Sequence, residues 1–85
     1  MTFLWTEKAR AACAAGGIAE SDAERLIRSR EAERCSVLGE GTGHRFCHAV
    51  QGFITLWAEY ILQEETCIVQ NVYYHRVGIE EEIGK

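Results

Sequence analysis

The sequence lacks any long apolar run, since no stretch approaches the roughly 18 apolar residues of a membrane-spanning helix. Its first residues also lack the basic-then-apolar order of a secretory signal. It has few clustered cations, because Arg25, Arg28, Arg30 and Arg34 are interleaved with acids. We therefore expect a cytoplasmic protein that does not bind membranes, and nucleic-acid binding is disfavoured because it normally requires a dense basic surface.

Paired cysteines and phosphate loops are missing as well. Cys13, Cys35, Cys47 and Cys67 stand singly, without C-x-x-C spacing. This spacing is typical of reduced thiols, most of them buried as small apolar side chains. The glycine-rich stretch at 39–43 has no G-x-x-x-x-G-K pattern, so we interpret it as a turn.

What is present is typical of one small globular domain. The chain has 85 residues, of which 47% are hydrophobic and 26% charged, enough for a single core. The net charge of −4 is uneven, because residues 1–34 carry six basic and six acidic residues, whereas residues 35–85 carry three and seven. The last residues, 81–85, are expected to form a solvated acidic tail.

The first third of the chain, residues 1–34, has the pattern of two helices. Thr6 can cap a first helix that ends at Gly16-Gly17, where glycine permits a left-handed exit. Ser21 and Glu24 have the spacing of a capping box. This pattern predicts a second helix from about residue 22 to residue 30 or beyond.

Residues 35–80 favour strands. Two long segments, 53–62 and 66–77, are rich in β-branched and aromatic residues, and 45–50 and 35–38 are shorter candidates. The sequence therefore predicts an α+β fold in which two N-terminal helices pack on a three- to four-stranded antiparallel β-meander. An alternative interpretation places Phe46, Val50, Phe53, Ile54, Trp57 and Ile61 on one stripe of a helix.

Hairpin turns centred on Gln51-Gly52 and on Glu64-Glu65 would separate the sheet into two sides. One side, which includes Tyr73, is apolar enough to lie beneath the helices, and it also carries Asn71 and His75. Tyr74 is expected on the other side. The other side is strongly aromatic, and two helices cannot cover it as well. In a competing interpretation, the N-terminal residues 3–5 fold back over that side.

Exposed aromatic residues on a sheet favour a protein interface. The predicted partner-binding residues are Phe46, Phe53, Trp57, Glu59, Tyr74 and Arg76. The leading hypothesis is therefore a small, non-catalytic accessory subunit that docks through this side onto a protein partner or a second copy of itself, with no cofactor.

Two chemical alternatives use histidine. His48, Glu59, His75 and Arg76 match the residue types of small metal-free ribonucleases, which cleave RNA by general acid–base chemistry. His44, Cys47 and His48, with Cys35, Cys67 or His75, are ligand types for zinc or iron. On strands, however, neither set is expected to converge, because alternate side chains point to opposite sides of the sheet.

Two short patterns resemble a known family. Thr55-x-Trp57-x-Glu59-Tyr60 and Val69-x-Asn71-x-Tyr73-x-His75-Arg76 are similar to segments of small bacterial proteins without an assigned activity, encoded near genes for iron–sulfur or flavin oxidoreductases. The resemblance covers about residues 48–80. It implies that Trp57, Glu59, Asn71, Tyr73, His75 and Arg76 matter together for folding, docking or catalysis, and it makes an oxidoreductase complex a candidate partner.

Overall fold

The protein folds into a five-stranded sheet with two packed helices. The structure is a computed structural model that describes residues 1–39, 41 and 43–76, apart from the side chains at positions 51 and 76. In chain order, the elements are β1 (Thr2–Trp5), α1 (Glu7–Gly16), α2 (Glu20–Ala32), β2 (Val37–Leu38), β3 (Arg45–Gln51), β4 (Ile54–Gln63) and β5 (Thr66–Arg76). The predicted acidic tail at 81–85 lies outside the described residues, as do residues 77–80 of the predicted sheet.

The strand order is β1-β5-β4-β3-β2. Strands β2 to β5 pair antiparallel with their neighbours in the chain, so the α+β class is confirmed and the helical alternative for residues 46–61 is wrong. The expected three to four strands are too few, because β1 pairs parallel with β5 as a fifth strand. A four-residue strand that pairs with a distant segment has no adjacent turn to reveal it in the sequence.

The first helix begins and ends where the sequence predicts. The Thr6 hydroxyl accepts a hydrogen bond from the Ala9 N–H at 3.0 Å, which satisfies one of the free donors of the first turn. Gly17 follows the helix with φ of 67°, a left-handed conformation that glycine adopts without steric cost.

The predicted capping box of the second helix is wrong. The helix α2 begins at Glu20, and its N-cap is Ala19, which makes no side-chain capping hydrogen bond. Glu24 instead accepts a hydrogen bond from the Trp5 indole N–H at 2.9 Å. This contact ties β1 to α2, so the carboxylate holds tertiary structure in place of the helix end.

The hydrophobic core lies between the helices and one side of the sheet, which we call the helix side. Its buried residues come from both helices, the connection between them, and three strands: Ala9, Cys13, Ile18, Ala23, Leu26, Ile27, Cys47, Leu56, Ala58, Tyr60, Cys67, Val69 and Val72. Phe3 and Trp5 of β1 pack against this cluster. The N-terminal residues therefore extend the edge of the sheet, and the interpretation that they fold over its aromatic side is wrong. We call that other side the open side.

A partly buried hydrogen bond joins α2 to the sheet. Tyr60 is completely buried, and its hydroxyl donates to the Glu31 carboxylate. Arg45 lies 3.9 Å from the same carboxylate and donates to the Ser36 hydroxyl at 3.1 Å. Burial and the bond to Glu31 raise the pKa of Tyr60, so the phenol remains a neutral donor.

A β-bulge in β5 changes which residues face each side of the sheet. Tyr60 pairs with Val69, whereas Glu59 pairs with Asn71, which leaves Gln70 as an extra residue. Val69 and Val72 are three residues apart, yet both are completely buried. A regular strand alternates sides at every residue, and the extra residue of a bulge allows both valines to reach the core.

The outer edge of the bulge is held by the residue that caps α1. The Thr6 N–H donates to the Val69 carbonyl at 3.2 Å, and the Thr6 hydroxyl donates to the Gln70 carbonyl at 3.4 Å. On the strand itself, the Asn71 side chain accepts from the Val72 N–H at 3.0 Å. The bulge therefore coincides with the point where β1 ends and α1 begins.

The β3–β4 turn is centred one residue later than predicted. Gln51 pairs with Ile54, so the turn consists of Gly52 and Phe53, with Gly52 at φ of 65° in the first central position. Relative to the predicted register, the pairing of β3 with β4 is therefore shifted by two residues. Each side chain of these strands stays on its predicted side of the sheet, but His48 now opposes Trp57. The predicted turn at Glu64-Glu65 is confirmed by the flanking pair Gln63–Thr66.

Burial of the thiols predicts a stability loss in alkali. Desolvation raises the pKa of Cys47 to about 11 and that of Cys67 to about 12, from an ordinary value of 9.0. The unfolded chain therefore loses these protons first, so the free energy of unfolding should decrease as the pH rises above about 9. Urea unfolding between about pH 8 and pH 11 measures this decrease. The Cys47→Ala variant should show a shallower decrease, and an identical pH profile would contradict the assignment.

Candidate functional site

The open side presents rows of directly opposed residues. Across β3, β4 and β5, three of these rows are Phe46–Glu59–Asn71, His48–Trp57–Tyr73 and Val50–Thr55–His75. Beyond the bulge, an apolar row of Ile61, Ile68 and Leu4 continues onto β1. The surface is therefore continuous across four strands.

The middle row is a stack of three rings. The His48 and Trp57 ring centroids lie 4.6 Å apart with an interplanar angle of 25°. Trp57 and Tyr73 are 6.4 Å apart and nearly parallel at 9°. Trp57 is half-buried between these neighbours, while Tyr73 is 39% exposed. Because each ring restrains the next, the apolar surface that they present is preorganised.

The open side is almost free of formal charge. All three histidines of the chain lie there, His48 and His75 by register and His44 through its contact with Glu59. Glu59 is the only acid among the strand residues of this side, and its carboxylate pairs with the His44 imidazole. No lysine or arginine occurs among its described strand residues, since Arg45 contacts Glu31 on the helix side.

The structure places the predicted partner-binding residues in different parts of the sheet. Phe46, Trp57 and Glu59 share the open side, as predicted. Phe53 is 64% exposed, but it lies in the β3–β4 turn at the end of the sheet.

Tyr74 was predicted on the aromatic side of the sheet, and this prediction is wrong. It pairs with Leu56 of the core and therefore lies on the helix side, because the bulge reverses the alternation of β5. The backbone of Arg76 pairs with Ile54, and its side chain lies outside the described part of the chain.

The bulge brings Asn71, Tyr73 and His75 to the open side in place of Val72 and Tyr74. Tyr73 belongs to the set that the family resemblance implies but was left out of the predicted partner-binding set, and Asn71, Tyr73 and His75 were wrongly expected beneath the helices. The signal that could have found them is the spacing of Val69 and Val72. Two apolar residues three positions apart, with Gln70 and Asn71 between them, cannot both face the core of a regular strand.

The catalytic alternative places His48, Glu59 and His75 on one side but not around one point. From the register, the Cα atoms of His48 and His75 are about 12 Å apart, and those of Glu59 and His75 are about 14 Å apart. General acid–base cleavage needs the acid and the base within hydrogen-bond reach of the reacting atoms. The three described side chains therefore stand in three different rows of the open side, and the side chain of Arg76 is not described.

The proposed metal ligands are split between the two sides of the sheet. Cys47 is buried on the helix side, His48 stacks on Trp57, and His44 contacts Glu59. Cys67 is buried, whereas Cys35 is exposed. Among the described residues there is no group of three or more His, Cys, Asp or Glu side chains arranged to hold a metal ion.

A groove of about 270 Å³ lies on the helix side, between α2 and the sheet. Leu26, Ala49 and Leu56 provide its apolar lining, and Asp22, Arg25, Ser29 and Arg30 its polar lining. Its cations already have partners within the chain. Arg25 lies 3.6 Å from Asp22, and Arg30 donates to the His48 carbonyl at 2.9 Å and to Glu33 at 2.8 Å.

The comparisons with known proteins leave the site to be interpreted from its geometry. No protein-family model matches the chain, and no curated protein sequence matches it significantly. Within the described residues, neither helix has the length and apolar character needed to cross a membrane.

The bulge predicts which tyrosine touches Trp57. In a Trp5→Phe background, where Trp57 is the only tryptophan, Tyr73→Ala should shift the Trp57 fluorescence to longer wavelength, because it removes a stacked ring and admits water. Tyr74→Ala is the matched control and should leave the emission unchanged, because Tyr74 lies on the helix side. A shift with Tyr74→Ala and none with Tyr73→Ala would show that β5 has no bulge.

Proposed function

We propose that the protein is a small interaction subunit that docks onto another protein through the open side of its sheet. The observation that carries this proposal is the stack of His48, Trp57 and Tyr73 at the middle of a sheet side that no described element covers. Contiguous exposed aromatic surface on a small domain is a recognised mark of an interface.

The stack has the properties of an interface centre. Tryptophan and tyrosine are enriched among the residues that dominate binding, and truncating such a residue commonly costs about 2 kcal/mol or more. Because Trp57 is already held between two rings, little side-chain freedom is lost when a partner covers it. Phe46, Val50 and the row of Ile61, Ile68 and Leu4 extend the apolar area around this centre.

The charge of the open side selects the class of partner. A nucleic acid would need lysine or arginine against its phosphates, and the described strand residues of this side provide none. A strongly charged protein would likewise find little opposite charge, because Glu59 is paired with His44. The partner surface that fits is apolar and aromatic, with polar groups at its margin.

The partner's identity is a separate question from the docking surface. The resemblance of the segments around Trp57 and Tyr73 to proteins encoded beside oxidoreductase genes makes subunits of such complexes reasonable candidates to examine first. In that arrangement the chain is an accessory subunit, and the partner performs the chemistry.

The proposal predicts that assembly depends on Trp57. In extracts of the native cell, the tagged chain should elute in size-exclusion chromatography as a complex larger than its own 9.6 kDa. Trp57→Asp should move it to the position of the free chain, because it places an uncompensated charge in the interface. Tyr74→Asp, an exposed position on the helix side, should leave the complex intact. A complex that survives Trp57→Asp, with circular dichroism showing both variants folded, would contradict the proposal.

A further inference from the structure

We propose that the occupant of the open side is the open side of a second copy of this chain, so that two sheets pack face to face in a symmetric dimer. This inference rests on the proposed function and names its partner. The two helices of each copy would form the outer layers, and the stacks around Trp57 would meet at the centre.

The described part of the chain provides no internal cover for this side. The buried residues of α1 and α2 all belong to the core on the helix side. In β1, Phe3 and Trp5 pack against that core, and only Leu4 joins the open side, where it is 53% exposed. Among the described residues, therefore, none covers this apolar surface.

The charge distribution favours a like partner. The chain carries a net charge of −4, so two copies repel one another through most pairs of surfaces. The open side carries little of this charge, because Glu59 is the one acid among its described strand residues and its carboxylate contacts the His44 imidazole. Two copies of an acidic chain that meet on this side therefore bring only one strand carboxylate each to the interface.

The available area suits a weak, reversible dimer interface. The four strands of the open side contain 32 residues, and at about 3.3 Å along and 4.8 Å across a strand they give a footprint of about 500 Å². Standard interfaces bury about 800 Å² on each partner, and weak or transient ones bury less than about 600 Å². Sheets also pack face to face at about 10 Å with their inner side chains interdigitated, which suits a side whose residues already stand in rows.

A two-fold axis through the middle of the sheet makes this surface self-complementary. The central strand of the five is β4, and it carries Trp57. A two-fold axis near Trp57 would place the stack of one copy against the stack of the other, with the same patch used on both chains. The hot-spot residues would then lie at the centre of the interface, where water is best excluded.

Sedimentation equilibrium of the purified chain tests the inference. The mass should rise with concentration from 9.6 kDa to twice that value. Tyr73→Asp should raise the dissociation constant at least about 30-fold. Its sequence neighbour Tyr74→Asp should leave it unchanged, although Tyr74 is similarly exposed, at 43% against 39% for Tyr73.

A second variant tests the same interface in case Tyr73→Asp fails to fold. Val50 lies on the open side and is 66% exposed, so Val50→Asp should leave the monomer folded and still weaken the dimer.

The outcomes separate this inference from the proposed function. A chain that stays monomeric at every concentration, while its complex in cell extracts still depends on Trp57, would overturn the dimer and leave the docking subunit standing. A dimer that Tyr74→Asp breaks and Tyr73→Asp does not would overturn the assignment of the interface to the open side.

Discussion

Two short helices and a wide sheet set the constraint on which the rest of this protein depends. The helices have 10 and 13 residues, and each is about 10 Å across, so side by side they cover about four strand spacings on one side of a sheet. Their buried residues all face the same side of the sheet. A five-stranded sheet therefore keeps its other side outside the core of a single copy, and that side carries the aromatic stack and all three histidines.

Which residues occupy that side is decided at one point in β5. The bulge lets Val69 and Val72 both enter the core, and it turns Asn71, Tyr73 and His75 away from the helices. Thr6 connects this point to the N-terminal part of the chain, because it caps α1 and also bonds to the carbonyls of Val69 and Gln70. The end of β1, the start of α1 and the composition of the open side are thus consequences of the same few hydrogen bonds.

Local patterns in the sequence were sufficient for much of the fold. The cap at Thr6, the exit at Gly17 and the long runs of β-branched and aromatic residues depend on neighbours in the chain, and each is found where it was predicted. The strand at Thr2–Trp5 was missed because its partner is more than 60 positions away, at Thr66–Val69. The capping box at Ser21 was wrong because a tertiary contact, with Trp5, takes the Glu24 carboxylate.

Only part of the candidate site was predicted, again because local patterns do not reveal tertiary structure. Phe46, Trp57 and Glu59 lie on strands whose alternation is regular, so their side could be assigned from the sequence. Tyr73 and Tyr74 exchanged sides because a strict two-residue period takes no account of a bulge. The resulting stack joins β3, β4 and β5, and it becomes visible only when both strand registers are known.

Hydroxyl-radical footprinting at two protein concentrations tests most directly whether the open side is a docking surface. In dilute solution, where the chain is a monomer, Trp57 and Tyr73 should be oxidised, as expected for side chains outside the core. At high concentration both should become protected, while oxidation of Tyr74 on the helix side stays unchanged. Protection of Trp57 already in the dilute monomer would contradict this account, and so would equal oxidation of Trp57 at both concentrations once sedimentation shows that the chain has assembled.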